Sequence, residues 1–305
     1  MASRPRVSIG VAIYNEAKFL RSTLDSVLAQ DFTDFELIIS DNASTDGTQE
    51  ISLEYVARDP RVSYHRNETN VGATENFNLV FKYATGEYFM WMGGHDLCAP
   101  NYVSRCLAVL ESDPALVQCN SVTQHMSQEG RELGRALRQV DTRGKSIFVR
   151  ANLILWQVSN FDAYSLFRTD ALKRTRLLCR VAGPDFLLGY ELALLGTTAI
   201  IPEPLYFMRD NRAERLPAAD RVTRKEDLQE RLYPKGTPSA GRFPHLRYLM
   251  EVMRAVKLAP LPWWLRIALW LSIPPSDLFR FYPYVPEFIR RPVRGWLSHR
   301  LKAPS

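Results

Sequence analysis

The chain has 305 residues, of which 46% are hydrophobic and 24% are charged, and these proportions exclude a mainly disordered protein. The length fits one large α/β unit with appendages better than two large domains. The net charge of +6 is unevenly distributed, with 9 Lys or Arg against 17 Asp or Glu in residues 1–130 and 30 against 16 in residues 131–305. The basic second part indicates either an anionic partner or a solvated basic surface.

The first 120 residues alternate between short apolar runs and stretches with apolar residues on one helical face. We predict strands at 7–13, 35–40, 61–65, 87–92 and 115–120. We predict helices between them at 17–30, 46–59, 73–85 and 100–113. This alternation is typical of βαβ units, and it predicts a mostly parallel sheet that is covered by helices on both faces.

The second part of the chain is less regular. Residues 121–150 are polar and weakly patterned, so we predict a loop there. The run GPDFLLGYELALLG (183–196) predicts a helix that ends at Gly196, and 197–202 predict a strand. Beyond residue 234 the chain is Pro-rich, with a short apolar stretch at 263–273.

Polar residues follow three of the predicted strands, in Tyr14-Asn15-Glu16, Asp41-Asn42 and His95-Asp96. Ligands of open α/β sheets bind outside the carboxyl ends of the strands, so these residues form the candidate site. The carboxylates of Asp41 and Asp96 suit Mg²⁺ or Mn²⁺ held together with substrate phosphates. Asp41 has two alternative roles, as a hydrogen-bond acceptor for a base or ribose and as a cap of the following helix. The sequence has no GxGxxG, HExxH or GxSxG motif.

The run VSIGVAIYNEAKFLRSTLDSVLAQDFTDFELIISDNASTDGT (7–48) resembles the opening of family 2 glycosyltransferases. The run NETNVGATENFNLVFKYATGEYFMWM (67–92) is similar to that family's Asn-x-Gly and Ala-x-Gly-Glu-Tyr patterns. The likeness covers most of residues 5–120. It implies a Rossmann-like A-type glycosyltransferase (GT-A) fold with a mostly parallel sheet, followed here by a helical, basic C-terminal extension.

The same resemblance implies that a nucleotide-diphosphate sugar lies across the strand ends. The positions matched to donor binding are Ala12, Tyr14, Glu16, Asp41, Asn70, Gly72, His95 and Asp96. The family's Asp-x-Asp metal motif falls on Gly94-His95-Asp96, which retains only the final acid. Asp96 is therefore the implied ligand of a Mg²⁺ or Mn²⁺ cofactor. Four roles stay open for His95: metal ligand, partner that orients Asp96, contact to the sugar, and structural residue.

Sugar transfer with inversion needs a carboxylate that deprotonates the acceptor hydroxyl. The resemblance implies Asp185 for this role, although a residue near a helix N-terminus can also cap that helix. Weaker candidates for acceptor or diphosphate contacts are Arg168, Glu191 and Arg209, with surface ion pairs as the alternative for the arginines.

The tail from Arg242 to the end holds 11 Lys or Arg and 3 Asp or Glu, interleaved with aromatic residues. This composition indicates peripheral contact with anionic lipid, and the alternative is packing on the catalytic domain or on a homodimer partner. No nucleic-acid-binding fold accompanies the basic residues. No stretch reaches the roughly 20 apolar residues that a membrane span needs, and the N-terminus lacks a signal-peptide pattern. These features predict a cytoplasmic protein, at the inner face of the membrane if the tail binds lipid.

We therefore expect three regions. Residues 1–120 form the donor-binding half, 121–235 form the acceptor and base half of the same domain, and 236–305 form the extension. The expected function is inverting transfer of a sugar to a saccharide or lipid-linked saccharide hydroxyl, in cell-surface polysaccharide biosynthesis. The alternatives are a catalytically silent nucleotide-sugar-binding protein and a sugar nucleotidyltransferase. The latter needs a Gly-rich first loop, where this chain has AIYNEAK.

Overall fold

The structure, a computed structural model, describes residues 4–135, 139–156, 163–181, 183–209 and 244–281. The strands are β1 Val7–Ile13, β2 Phe35–Asp41, β3 Val62–Arg66, β4 Tyr88–Gly93, β5 Leu97–Cys98, β6 Leu116–Met126, β7 Glu132–Arg135, β8 Leu166–Arg168 and β9 Thr197–Arg209. The helices are α1 Leu20–Leu28, α2 Thr48–Arg58, α3 Ala73–Tyr83, α4 Tyr102–Ser112, α5 Ile147–Trp156, α6 Thr169–Lys173, α7 Pro184–Leu195, α8 Pro244–Leu258 and α9 Trp263–Phe281.

All of these strands belong to one sheet in the order β3-β2-β1-β4-β8-β6-β9-β5, with β7 beside β6. The first four strands in this order are parallel, as their spacing in the sequence predicts. The register pairs Ile13 with Asp41 and Ala12 with Gly93. The turns that follow β1, β2 and β4 therefore meet at one edge of the sheet, which is the carboxyl edge.

The predicted α/β fold is confirmed, but the rest of the sheet is mixed, because it combines the parallel pair of β6 and β9 with antiparallel strands. β8 runs antiparallel to both β4 and β6, and β5 runs antiparallel to β9. The predicted loop at 121–150 is wrong, because it contains the end of β6, all of β7 and the start of α5. The end of β6 has no apolar pattern in the sequence, because its buried side chains include the polar residues Thr123 and Gln124. The predicted boundary at 120/121 falls inside β6, and the boundary at 235/236 lies outside the described residues.

Helices cover both faces of the sheet. The core on one face includes residues of α1, α2 and α4, and the core on the other includes residues of α3, α5 and α7. β4 lies near the centre, where the fully buried Trp91 packs against Phe89 and Phe167 and its indole N–H donates to the Phe77 carbonyl at 2.9 Å. This packing fixes the strand that delivers His95 and Asp96 to the carboxyl edge.

The last two described helices pack on the second face, where Tyr248, Val252 and Leu269 join the same core as α5 and α7. Polar contacts add a second attachment. Arg176, which follows α6, binds Glu191 of α7 at 2.5 Å and also binds Glu251 of α8. Within the described residues, no helix is both long enough and apolar enough to span a membrane.

Candidate active site

The turn after β1 is held by side chains of the segment between β2 and α2. Three successive backbone N–H groups donate to side-chain oxygens: Asn15 to Ser44 at 2.9 Å, Glu16 to Thr48 at 2.9 Å and Ala17 to Asp46 at 3.1 Å. Asn15 has φ of 55°, a left-handed conformation that Asn adopts more readily than most residues. The turn is therefore fixed through its backbone, and it leaves the Tyr14 ring 47% exposed at the sheet edge.

Asp41, at the end of β2, is completely buried and fully engaged. One carboxylate oxygen accepts the Ser44 N–H at 2.9 Å. The other accepts the Tyr64 hydroxyl and the Arg66 guanidinium, each at 2.6 Å. Burial, followed by the bond to Asp41, raises the pKa of Tyr64 to about 12. Asp41 does not cap α2, because the N-cap is Gly47 and has no side-chain cap bond.

Amide side chains connect the next loop to the sheet edge. The Asn42 amide donates to Asn70 at 2.8 Å and accepts from Asn67 at 3.1 Å and from the Val71 N–H at 2.9 Å. The buried Asn76 of α3 accepts from Asn67 at 3.0 Å. The Gly72 N–H donates to Asn70 at 2.9 Å, immediately before α3 begins. This asparagine network, formed by Asn42, Asn67, Asn70 and Asn76, fixes the loop that the sequence matched to donor binding.

Two glycines in the turn after β4 allow a close approach that no side chain permits. A Cβ atom on Gly93 would lie 2.5 Å from the Asp96 carboxylate, and one on Gly94 would lie 2.7 Å from Ile13 and 2.9 Å from Glu16. Glu16 occupies this space and contacts His95, with 3.0 Å between its carboxylate and Nδ1 of the imidazole. The loss of the acid expected at position 94 is thus coupled to an acid supplied by the β1 turn.

Burial lowers the pKa of His95, but the bond to Glu16 and the charge of Asp96 outweigh it, so this pKa lies above its ordinary value. Asp96 lies beside His95, with 3.9 Å between a carboxylate oxygen and Nε2. Asp96 is fully buried. Its oxygens accept the Tyr206 hydroxyl at 2.9 Å and the Arg209 backbone N–H at 2.8 Å. Burial raises the pKa of Asp96 against the opposing effect of His95.

The donor set around Asp96 does not fit a hard divalent cation. Mg²⁺ and Mn²⁺ need accessible oxygen ligands, whereas both Asp96 oxygens are buried and accept hydrogen bonds from protein groups. Among the described residues, no group of three or more His, Cys, Asp and Glu side chains could hold a metal ion. Asp96 instead ties the β4 turn to the end of β9.

Arg209, at the end of β9, is the one weaker candidate that reaches this turn. Its Nε donates to the His95 carbonyl at 2.9 Å and its Nη1 to the Gln128 carbonyl, while the guanidinium lies 4.5 Å from the centre of the Phe19 ring. Arg209 therefore holds the His95 turn in place and brings positive charge beside it.

Arg168 and Glu191 lie elsewhere. Arg168 donates to the Leu116 carbonyl at 2.8 Å and the Leu110 carbonyl at 2.6 Å. Because β8 is antiparallel to β4, its last residue pairs with Tyr88, the first residue of β4, at the opposite edge of the sheet. The distance along β4 to the site is roughly 17 Å, at about 3.3 Å per residue. Glu191 is buried and binds Arg176. Neither geometry supports a contact to diphosphate or acceptor.

Asp185 lies in the first turn of α7, directly after Gly183 and Pro184. The N-cap Gly183 has no side-chain cap bond, and Asp185 is half-buried. α7 leads into β9, and β9 ends at Arg209 beside His95. From Asp185 the chain therefore runs through α7 and β9 to the carboxyl edge at Arg209.

Sequence reasoning missed several residues that build the site. Tyr64 and Arg66 follow from the parallel pairing of β3 with β2, which places Arg66 opposite Asp41. Asn76 lies inside a helix, where neither a strand end nor a cap draws attention to it. Its contact to the Ser40 hydroxyl, at 2.7 Å, depends on how α3 packs under β2.

The parallel strands, the glycine-containing β4 turn and the ordered turns at one edge are features of an α/β fold of the GT-A type. The model of the family "Glycosyl transferase family 2" matches residues 8–175, more than half of the chain. The protein therefore belongs to glycosyltransferase family 2, as the motifs in its first 120 residues predict.

Curated relatives match part of the chain. EpsE of Bacillus subtilis (strain 168) is 37% identical over 112 residues, which are 36% of this chain and 40% of EpsE. Chondroitin synthase of Escherichia coli is 31% identical over 126 residues, which are 41% of this chain and 18% of the synthase. The match thus spans less than half the length of these relatives.

Solved structures share the fold over most of the chain. S. aureus TarS 1-349 in complex with UDP-GlcNAc has a TM-score of 0.68 at 16% identity, covering 90% of this chain and 73% of TarS 1-349. The mannosyltransferase PcManGT from Pyrobaculum calidifontis, in complex with GDP-Man and Mn²⁺, has a TM-score of 0.54 at 21% identity, covering 97% and 84%. These likenesses confirm the GT-A fold.

Proposed function

We propose that the protein transfers a sugar, with inversion, from a nucleotide-diphosphate sugar to a hydroxyl of a saccharide or lipid-linked saccharide. The observation that carries the proposal is the meeting of Tyr14, Asp41, Asn70 and His95 at one sheet edge in a family 2 chain. A chondroitin synthase among the relatives supports polysaccharide biosynthesis as the setting.

The donor occupies the turns after β1, β2 and β3. The exposed ring of Tyr14 stacks on the nucleotide base, because an aromatic face that is free on one side suits such stacking. An ionised carboxylate offers about four acceptor positions. Asp41 is completely buried and uses three of them within the protein, so it supports the donor site by holding Ser44, Tyr64 and Arg66 in place. The asparagine network holds the loop beside the ribose.

The chemistry requires one base and compensation of the leaving charge. A carboxylate oxygen of Asp185 takes the proton of the acceptor hydroxyl as that oxygen attacks the anomeric carbon. The bond from the anomeric carbon to the diphosphate oxygen breaks, and nucleoside diphosphate leaves. His95, with its raised pKa, and Arg209 bring positive charge to the edge where the diphosphate lies.

A Mg²⁺ or Mn²⁺ cofactor stays a prediction of the family resemblance, supported by the Mn²⁺ in the PcManGT complex. Asp96 does not support this prediction, because its carboxylate is buried and is not accessible to a metal ion. We therefore expect Asp96→Asn to lower the stability of the protein without changing the Mn²⁺ concentration that gives half-maximal activity. A rise in that Mn²⁺ concentration would restore Asp96 as a ligand.

Nucleoside diphosphate release tests the proposed reaction. UDP-, GDP- and dTDP-sugars are supplied to the wild type with and without Mn²⁺, with water or added saccharides as acceptor. For the best donor, we expect Asp185→Asn to lower the turnover number about 10²- to 10⁴-fold while nucleotide affinity is kept. Asp170→Asn is the matched control, because Asp170 is an exposed acid in the first turn of α6.

Each outcome separates two assignments. Wild-type turnover in Asp185→Asn would make the base assignment wrong. Nucleotide-sugar binding without release in any condition would support the catalytically silent alternative. Formation of nucleotide-sugar and pyrophosphate from a sugar phosphate and a nucleoside triphosphate would support a nucleotidyltransferase, which family membership disfavours.

A further inference from the structure

The exposed large hydrophobic side chains of the described structure are concentrated in one place. Eight of the thirteen lie between residues 246 and 271, in α8, α9 and their connection. They are Leu246, Met250, Met253, Leu258, Trp263, Trp264, Ile267 and Leu271. Trp263 and Leu271 are 73% and 74% exposed, so the α8–α9 hairpin presents a large apolar area to solvent.

The exposed residues form stripes along the two helices. In α8, Leu246, Met250 and Met253 follow the spacing of one helical face, and in α9 Trp264, Ile267 and Leu271 do the same. The opposite faces of the two helices bury other apolar residues against α5 and α7. The Trp270 indole N–H donates to the Met253 carbonyl at 3.1 Å, which brings the two stripes side by side. Both faces of the hairpin are therefore apolar, and the described residues cover one of them.

The exposed charged side chains of the hairpin are basic. Arg247, Arg254 and Lys257 are exposed. Among the described side chains from 246 to 273, Glu251 is the one acid; it binds Arg176 and also lies 3.8 Å from the exposed Arg254. The outer surface of the hairpin thus combines tryptophan and aliphatic side chains with basic groups only.

We propose that the outer surface of the α8–α9 hairpin, residues 246–271, docks in the interface of an anionic lipid bilayer. Tryptophan and aliphatic side chains enter the headgroup region, and Arg247, Arg254 and Lys257 pair with lipid phosphates. The hairpin lies on the bilayer, and the catalytic body stays in water. This inference does not depend on the proposed reaction.

The positive charge of the hairpin favours anionic lipid over a second copy of the chain as its binding partner. A twofold dimer places the same patch on both sides of the contact, so it would bring basic residues of the hairpin near each other. Like charges facing each other weaken such an interface. Anionic headgroups neutralise the same residues, so the patch is complementary to a lipid surface and less so to itself.

Vesicle flotation of the full chain tests the proposal. We expect the protein to float with vesicles that contain phosphatidylglycerol and to stay at the bottom with phosphatidylcholine alone. Replacing Arg247, Arg254 and Lys257 by Gln should weaken binding roughly a hundredfold, at about fivefold per basic residue. The double variant Trp263→Ser/Trp264→Ser should weaken it about tenfold or more.

The double variant Leu53→Ser/Leu133→Ser is the matched control, because these leucines are also exposed, at 47% and 54%, but lie outside the hairpin. It should float like the wild type, and thermal unfolding should show that all variants are folded. The proposal is overturned if the wild type does not float with anionic vesicles or if the hairpin variants float as well as the control. A dimer that dissociates in the hairpin variants, without vesicle binding, would assign the surface to a second copy.

Discussion

The donor edge and the C-terminal hairpin are stabilised in opposite ways. At the donor edge, polar side chains of one turn bind the backbone of another, as Ser44 and Thr48 bind the turn after Ile13. The hairpin is attached by apolar packing and by the ion pairs of Arg176, and none of the described parts of the chain covers its outer face. The region that we propose to hold a small polar ligand is fixed internally, whereas the region that we propose to bind a lipid surface keeps apolar groups exposed.

The largest effect should come from the attachment of the hairpin. Arg176→Ala leaves Glu191 buried and Glu251 partly buried without their main partner, which costs about 3 kcal/mol of the free energy of unfolding. Hydrogen exchange should increase in α8 and α9, while nucleotide affinity stays unchanged. Arg105→Ala is the control, since its pair with Glu203 is exposed and contributes less than about 1 kcal/mol. Weaker nucleotide binding in Arg176→Ala would mean that the two regions are coupled.

The corresponding change at the donor edge is Asp41→Asn. It removes the charge that Arg66 and Tyr64 bind, and we expect a loss of about 2–3 kcal/mol in the free energy of unfolding. The expected loss of stability is smaller than for a fully buried ion pair because the Arg66 side chain is 32% exposed. Nucleotide affinity should fall in the same variant, and flotation should stay at the wild-type level. Calorimetric titration with UDP and GDP measures the first effect, and unchanged affinity for both would remove Asp41 from the donor site.

A smaller effect tests the coupling between Gly94 and Glu16. Gly94→Ala places a methyl group against Ile13 and Glu16 and should cost about 1–3 kcal/mol. In a Glu16→Ala background the cost should fall, because one of the two obstacles is gone. The free energies of unfolding of the four proteins form a double-mutant cycle. Additive costs within about 0.5 kcal/mol would show that Glu16 does not occupy the space of the missing acid.

The smallest effect concerns the protonation of His95. Glu16→Gln removes the carboxylate that raises the pKa of His95, so that pKa should fall in an NMR titration. Because the folded-state pKa is raised, the associated stability is present below the ordinary value of 6.5 and is lost as pH rises through the folded pKa. Wild type and variant should therefore differ more in stability at acidic than at alkaline pH. His65, whose pKa burial lowers, is the control and should not change.

Periodicity predicted the first half of the fold well, because each strand there is an apolar run and each helix has one apolar face. The strand ends at Tyr14, Asp41 and His95 were found because parallel strands share a carboxyl edge. Arg168 was a weak candidate from the family resemblance, and the sequence did not predict β8, whose antiparallel pairing puts Arg168 at the other edge of the sheet. Direction within a sheet depends on pairing between distant segments, which a local pattern does not contain.

The Glu16–His95 contact shows the same limit at the level of single atoms. The two residues are 79 positions apart, and they meet because the register pairs Ala12 with Gly93. The sequence alone does not show that Gly94 leaves room for Glu16, because this depends on which side chain the fold brings next to position 94. Glu191 was misassigned for a related reason, because its partner Arg176 lies outside the helix that carries it.

The asparagine network has a consequence for the way this protein responds to its surroundings. Amide side chains neither gain nor lose protons in the range where proteins are folded. The floor of the donor crevice, formed by Asn42, Asn67, Asn70 and Asn76, therefore keeps its geometry when acidity changes. We then expect any acid sensitivity of donor binding between pH 5 and 8 to come from His95, from His65 beside Arg66, and from the phosphates of the ligand itself.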